Sequence, residues 1–178
     1  MKKLKKIVIG LLVCTIAVPV FGQAPKLTDP EIASVAVTAN QIDINYAAIA
    51  KEKSKSADIV KFADMMASDH QSVIDQAVAL VTKLKVTPKD NAVSQKLNTG
   101  AEETKKALRA KSGDAFNKAY IDNEVAYHKA VISTVESVLI PQAQNAELKQ
   151  LLQNVLPTLK AHLEHAQMVQ KMVKGNSK

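Results

Sequence analysis

The chain has 178 residues, and its 24 basic and 17 acidic side chains give a net charge of +7 at pH 7. Four of the basic residues are lysines within the first six positions, so the rest of the chain carries only a small, scattered positive charge. Aromatic residues make up only 3% of the chain, too few to stack against bases, and we therefore expect no nucleic-acid partner.

The N-terminal segment has the layout of a secretory signal peptide. Lysines without an accompanying acid precede an apolar run over residues 7–21, and the small residue Gly22 follows it. We expect cleavage after Gly22, which leaves a chain without cysteine and therefore without disulfides. The apolar run is too short for a transmembrane helix, so no span is expected in the mature protein. Lipidation of Cys14 is a less favoured alternative.

The signal peptide predicts a protein of the periplasm or the cell exterior, and peripheral membrane association stays open. About 155 mature residues are enough for one domain with a sizeable core. The predicted divisions are a signal peptide (1–22), an N-terminal extension (23–28), a helical domain (29–174) and a C-terminal tail (175–178).

Helix-forming residues dominate the mature chain, glycine is scarce, and no stretch alternates in polarity, so an all-α fold is predicted. Breaker residues divide it into segments. Four long helices are predicted over about 28–53, 56–85, 112–140 and 144–174, with a short helix or two over 90–111. Pro88 and Pro141 are expected to end the second and third long helices, and Pro157 to kink the last.

Apolar residues recur at spacings of three and four along each long segment. The last segment repeats this pattern without a slip, through Leu148, Leu152, Val155 and Leu159. Four such stripes joined mostly by short connections predict an antiparallel four-helix bundle, with the longer helical crossover between the second and third long helices.

Three histidines interrupt these apolar stripes. His70, His128 and His162 each lie near the middle of a different long helix. Because midpoints meet in an antiparallel bundle, the three imidazoles are predicted to converge at one level of the core.

Acidic residues accompany the histidines on the same helix faces. Asp43 is in the middle of the first helix, Asp69 precedes His70, and Glu124 lies one turn before His128. Bundles build metal sites from such inward-pointing nitrogen and oxygen donors. The candidate ligands of a transition metal ion, which could be iron, manganese, zinc or copper, are Asp43, Asp69, His70, Glu124, His128 and His162.

A buried hydrogen-bond network without metal is the alternative explanation of the same positions. Tyr46, Tyr120 and Tyr127 could donate hydrogen bonds to the histidines in such a network. The Glu-x-x-His pairs of carboxylate di-metal bundles are missing, so the ion would be held singly. No nucleophile motif or phosphate-binding loop is present, and no catalytic residue is predicted.

Three motifs in this order resemble a known family. They are the run Phe62–His70, then Phe116 and Tyr120 followed by His128, then the segment over 156–166, which contains His162. This pattern is similar to the exported bacterial ferritin-like family of unknown function numbered four-one-four-two, whose members are often labelled outer-membrane or envelope proteins. The similarity extends over roughly residues 30–172.

The resemblance implies a ferritin-like four-helix bundle in the cell envelope. It carries Asp69, His70, Tyr120, His128 and His162 over as motif positions. The chain departs from the family pattern at Asn117, where an acid is common, and at Asp43, where the family has glutamate. The resemblance carries no reaction with it.

The predicted function is an exported helical bundle protein of unknown activity that can bind a transition metal through its core. One alternative is an interaction module for an envelope protein partner, in which the histidines are structural. Another is a metal-dependent redox enzyme acting on peroxide or superoxide. The oligomeric state stays open.

Overall fold

The computed structural model describes residues 26–175, and every regular element in that range is helical. The elements are α1 (Asp29–Lys53), α2 (Ala57–Lys83), α3 (Ala92–Arg109), α4 (Gly113–Thr134), a π-helical turn (Val135–Leu139), α5 (Ile140–Gln142) and α6 (Ala146–Gly175). The predicted signal peptide, Cys14 and the last residues of the tail lie outside this range.

The helix ends follow the signals in the sequence. Pro30 is in the first turn of α1, and the backbone N–H of Thr28 donates to the Glu31 carboxylate at 2.9 Å. Asn91 caps α3, because its side-chain oxygen accepts the backbone N–H groups of Val93 and Ser94. Helix α3 then continues through Gly100, so the crossover holds one helix, the simpler of the two predicted forms.

The long helices pack as antiparallel neighbours. Helix α1 contacts α2 and α4, and α6 contacts the same two helices from the other side. The start of α1 meets the end of α2, where the Lys89 N–H donates to the Pro30 carbonyl at 2.9 Å. The start of α1 also meets the chain after α4, where the Leu27 N–H donates to the Gln142 side chain at 2.7 Å.

The crossover helix α3 lies against α1. It begins next to the start of α1, where the Asn91 side chain donates to the Glu31 carbonyl. It ends next to the end of α1, where the guanidinium of Arg109 contacts Glu52 at 3.0 Å. The crossover therefore returns the chain along α1, so that α4 starts at the end of the molecule where α2 also starts.

Two prolines lie within helical elements, and only one of them was predicted to end a helix. Pro141 lies within α5, directly after the π-helical turn, at a position where a missing backbone N–H is tolerated. Pro157 lies inside α6, which continues past it to Gly175. The prediction that Pro141 ends the third helix was therefore wrong.

The core has two apolar clusters separated by a polar layer. One cluster contains Phe62, Phe116 and Tyr120, together with the second half of α1 and the last turns of α6. The other contains Val35 and Leu152, together with the π-helical turn and the first half of α6. The histidines lie along the helices between these two clusters, so an apolar cluster packs on each side of the polar layer.

None of the helices within residues 26–175 combines the length and the apolar character needed to cross a bilayer.

Candidate metal centre

The three histidines meet in the polar layer, as the helix midpoints predicted. His70 comes from α2, His128 from α4 and His162 from α6, and all three are buried. Their ring centroids are 5.2 to 5.6 Å apart. One nitrogen from each ring lies within 4.8 Å of the nitrogens from the other two, a spacing at which the three could hold a metal ion.

A hydrogen bond to Asn40 fixes the orientation of His70. The Nδ1 atom of His70 lies 2.7 Å from the side-chain oxygen of Asn40, whose own amide nitrogen donates to the Ala36 carbonyl at 2.8 Å. Because the Asn40 amide nitrogen is used in this way, its oxygen must accept, and Nδ1 of His70 must carry the proton. The Nε2 atom of His70 therefore has a free lone pair.

The other two histidines are oriented by the same kind of contact. Nδ1 of His128 lies 3.0 Å from the backbone carbonyl oxygen of Glu124, and Nε2 of His162 lies 2.9 Å from a carboxylate oxygen of Asp69. Both acceptors require the imidazole to donate. Metal-binding histidines are commonly held by such an outer hydrogen bond, which fixes the tautomer and presents the other nitrogen to the ion.

The remaining nitrogen of each ring is buried and unpaired. Nε2 of His70, Nε2 of His128 and Nδ1 of His162 have no hydrogen-bond partner among the described residues. A buried polar atom left unpaired costs about 1–3 kcal/mol, so three such atoms on rings that pack together need an explanation. A shared ion would satisfy all three.

Asp43 brings a carboxylate to the histidines from α1. One of its oxygens lies 3.4 Å from Nε2 of His70 and 3.7 Å from Nε2 of His128. These distances are long for hydrogen bonds. Two ligands of a tetrahedral ion bound at about 2.0–2.1 Å lie roughly 3.3–3.4 Å apart, which is close to the observed separations.

Glu124 and Asp43 form a second group with His128. Single ligand atoms of these three residues also lie within 4.8 Å of one another. Both carboxyl groups are fully buried, and their nearness together with burial raises the pKa of Glu124 well above its usual value. Burial raises the pKa of Asp43 to about 7.

Burial acts in the opposite direction on the imidazoles. Burial, together with the smaller effect of the neighbouring imidazoles, lowers the pKa of His70 to about 3, and burial lowers that of His128 to about 4. Burial also lowers the pKa of His162, although its bond to Asp69 counteracts part of the effect. At neutral pH the rings are therefore uncharged, which is the form that binds metal ions.

The other candidates lie around this centre. Asp69 is in neither group; its side chain is 41% exposed and reaches His162 from the outside. Tyr127 donates to the Ala39 carbonyl at 2.9 Å, so it does not serve the histidines. The hydroxyl of Tyr120 is buried without a hydrogen-bond partner among the described residues.

Asn40 is the contributing residue that the sequence analysis missed. It lies three residues before Asp43 in α1 and therefore on the same helix face, a spacing that could have identified it. The identity of the residue gave no such indication, because asparagine is more often found at helix ends and in turns.

A family model matches residues 18–169, and its description is Domain of unknown function (DUF4142). No curated protein and no solved structure gives a significant match. The match covers most of the chain, including the four helices that contribute the histidines and Asp43 to the polar layer. The chain therefore belongs to the DUF4142 family.

Proposed function

We propose that this chain is a metal-binding protein whose ion is held by His70, His128, His162 and Asp43. The observation that carries the proposal is a set of three buried imidazole nitrogens that have no partner in the described part of the chain, each on a ring whose other nitrogen is fixed by a hydrogen bond. A purely structural network would pair these nitrogens with one another or with a donor. Here the three rings converge, and these nitrogens have no hydrogen-bond partner within residues 26–175.

The donor set fits a divalent transition metal. Imidazole nitrogens suit zinc, copper and iron, and one carboxylate is compatible with each of them and with manganese. Asp43 approaches from the side of His70 and His128 and would serve as the fourth donor. Glu124 adjoins Asp43, and without an ion the two carboxyl groups would share a proton. When Asp43 binds the ion, Glu124 would carry that proton.

The bundle itself is part of the proposal. Neighbouring long helices run antiparallel, and α3 carries the chain back along α1 between the second and third of them. We assign this connectivity to the four-helix bundles of ferritin-like topology, in which one long crossover joins the two helix pairs. Ligands projecting inward from facing helices are the usual way such bundles hold metal ions.

Export to the cell envelope completes the proposal. It is supported by the lysine-rich start, the apolar run over residues 7–21 and the small residue that follows it. A mature chain without cysteine suits an oxidising compartment, since its metal ligands are imidazoles and a carboxylate, which do not form disulfides.

Metal content measured on matched variants tests the proposal. The protein is exported through its own N-terminal segment, purified without chelator or affinity tag, and analysed for metal per chain. We expect near-stoichiometric metal in the wild type and its loss in His162→Ala. His165→Ala is the control, because His165 packs against Phe62 and belongs to neither group of candidate ligands.

Two outcomes would overturn the metal assignment. One is a wild type that is metal-free and gains no thermal stability from iron, manganese, zinc or copper, since any ion that binds the native state stabilises it by mass action. The other is equal metal content in the His162→Ala and His165→Ala proteins. Recovery of the unprocessed chain in the cytoplasm would refute export and leave the metal assignment standing.

A further inference from the structure

A cavity of about 170 Å³ lies in the core directly beside the histidines. Its walls are apolar side chains from α1, α2, α4 and α6, among them Val35, Ala39, Ala77, Leu152 and Leu159. At one end it is closed by the polar layer. The residues at that end are Asp43, His70, His128 and His162.

Small residues and helix irregularities together account for this space. Ala39 and Ala77 occupy core positions where the stripes of α1 and α2 otherwise hold larger apolar residues. The π-helical turn of Val135–Leu139 borders the cavity on one side, and the turn of α6 containing Pro157 borders it on another. π-Helical turns inserted in α-helices are frequent at functional sites.

The cavity is suited to an apolar occupant rather than to water. A water molecule needs two to four polar partners, and away from the histidine end the walls offer almost none. An engineered apolar cavity of about 150 Å³ in another protein stays dry and binds benzene or xenon. Among the lining residues, Ala130 and Thr158 are exposed, so the space connects to the surface between helices.

We propose that this cavity is a binding site for a compact apolar molecule, up to about the size of benzene, that lies beside the three histidines. The site is separate from the metal centre, and the two share only the wall formed by the polar layer. The proposal goes beyond metal binding and does not depend on it, because the apolar walls are the same whether or not an ion is held.

Benzene is the probe for the test. The protein is isotope-labelled at methyl groups, and spectra are recorded with increasing benzene both as purified and after dialysis against EDTA. We expect saturable shifts at Leu152 in the cavity wall and none at Ile59 in the opposite cluster. Ala39→Leu and Ala77→Leu fill the space and are each expected to weaken benzene binding by about tenfold or more.

Ala79→Leu is the matched control, because Ala79 is exposed on α2 and does not line the cavity. It should bind benzene as the wild type does. The two cavity-filling substitutions lie on different helices, so that if one variant fails to fold, the other can still be tested. Absence of saturable shifts in both wild-type preparations would overturn the proposal. Benzene binding that persists in the folded Ala39→Leu and Ala77→Leu proteins would also overturn the proposal, as would an equal loss of binding in Ala79→Leu. Neither result would alter the metal content.

Discussion

Replacing His128 with leucine tests whether the buried imidazoles serve an ion or the fold. The Nε2 atom of His128 is buried and unpaired among the described residues, at a cost of about 1–3 kcal/mol. Its Nδ1 atom donates to the Glu124 carbonyl, which also accepts a backbone bond within α4, and the Asp43 and Glu124 carboxylate oxygens lie 3.7 Å from the ring nitrogens, beyond hydrogen-bond distance. The change therefore breaks no hydrogen bond that its acceptor needs. Without metal, His128→Leu is expected to be more stable than the wild type by about 1–3 kcal/mol.

Metal should reverse this order. An ion at about a thousand times its dissociation constant stabilises a native state that binds it by about 4.1 kcal/mol, and a variant lacking a ligand should gain far less. The wild type should therefore be the more stable protein when metal is present. Urea unfolding followed by far-ultraviolet circular dichroism, in EDTA and in excess zinc, measures both free energies.

The metal-free measurement can refute the reasoning. A loss of more than about 1 kcal/mol for His128→Leu in EDTA would mean that the imidazole makes a contact the fold needs, as a hydrogen-bond network requires. His165→Leu is the control for the metal effect, since His165 is outside the polar layer and its replacement should leave the stabilisation by zinc unchanged.

Three further results are expected. Asn40→Ala should weaken metal binding about 10- to 100-fold in a competition titration, because it frees the His70 ring while leaving every ligand in place; unchanged affinity would contradict the role of this hydrogen bond. Because burial raises the pKa of Asp43 to about 7, metal must displace the Asp43 proton at lower pH, and the apparent affinity for metal should fall about tenfold per pH unit below pH 7. An affinity that stays constant from pH 5.5 to 7 would count against Asp43 as a ligand. Asp29→Ala should lower the free energy of unfolding by about 1.5–3 kcal/mol, since the Asp29 carboxylate accepts the backbone N–H groups of Gln144 and Asn145 at 2.8 Å; an unchanged urea midpoint would show that this link between α1 and α6 is not stabilising.

The convergence of the histidines could be predicted because it depends only on periodicity and on helix length. Each of His70, His128 and His162 replaces an apolar residue in an otherwise regular stripe near a helix midpoint. Antiparallel packing brings such positions to one level. The same reasoning placed Asp43 in this layer, because it is mid-helix on the face that α1 turns to its neighbours.

The features that escaped prediction depend on local geometry rather than on pattern. The orienting role of Asn40 requires knowing which nitrogen of His70 points outward, and sequence spacing does not determine a ring orientation. The segment Val135–Leu139 contains no residue that distinguishes a π-helical turn from an ordinary α-helix. It directly precedes the short helix that contains Pro141, a residue that sequence reasoning treats as a helix end.

One candidate ligand in the polar layer comes from each of the four long helices α1, α2, α4 and α6. An ion held there would act as a single cross-link between four helices of a chain that has no cysteine after residue 14. Opening any one long helix would then require releasing the ion, so backbone amides in all four should exchange with solvent in one cooperative step while metal is bound.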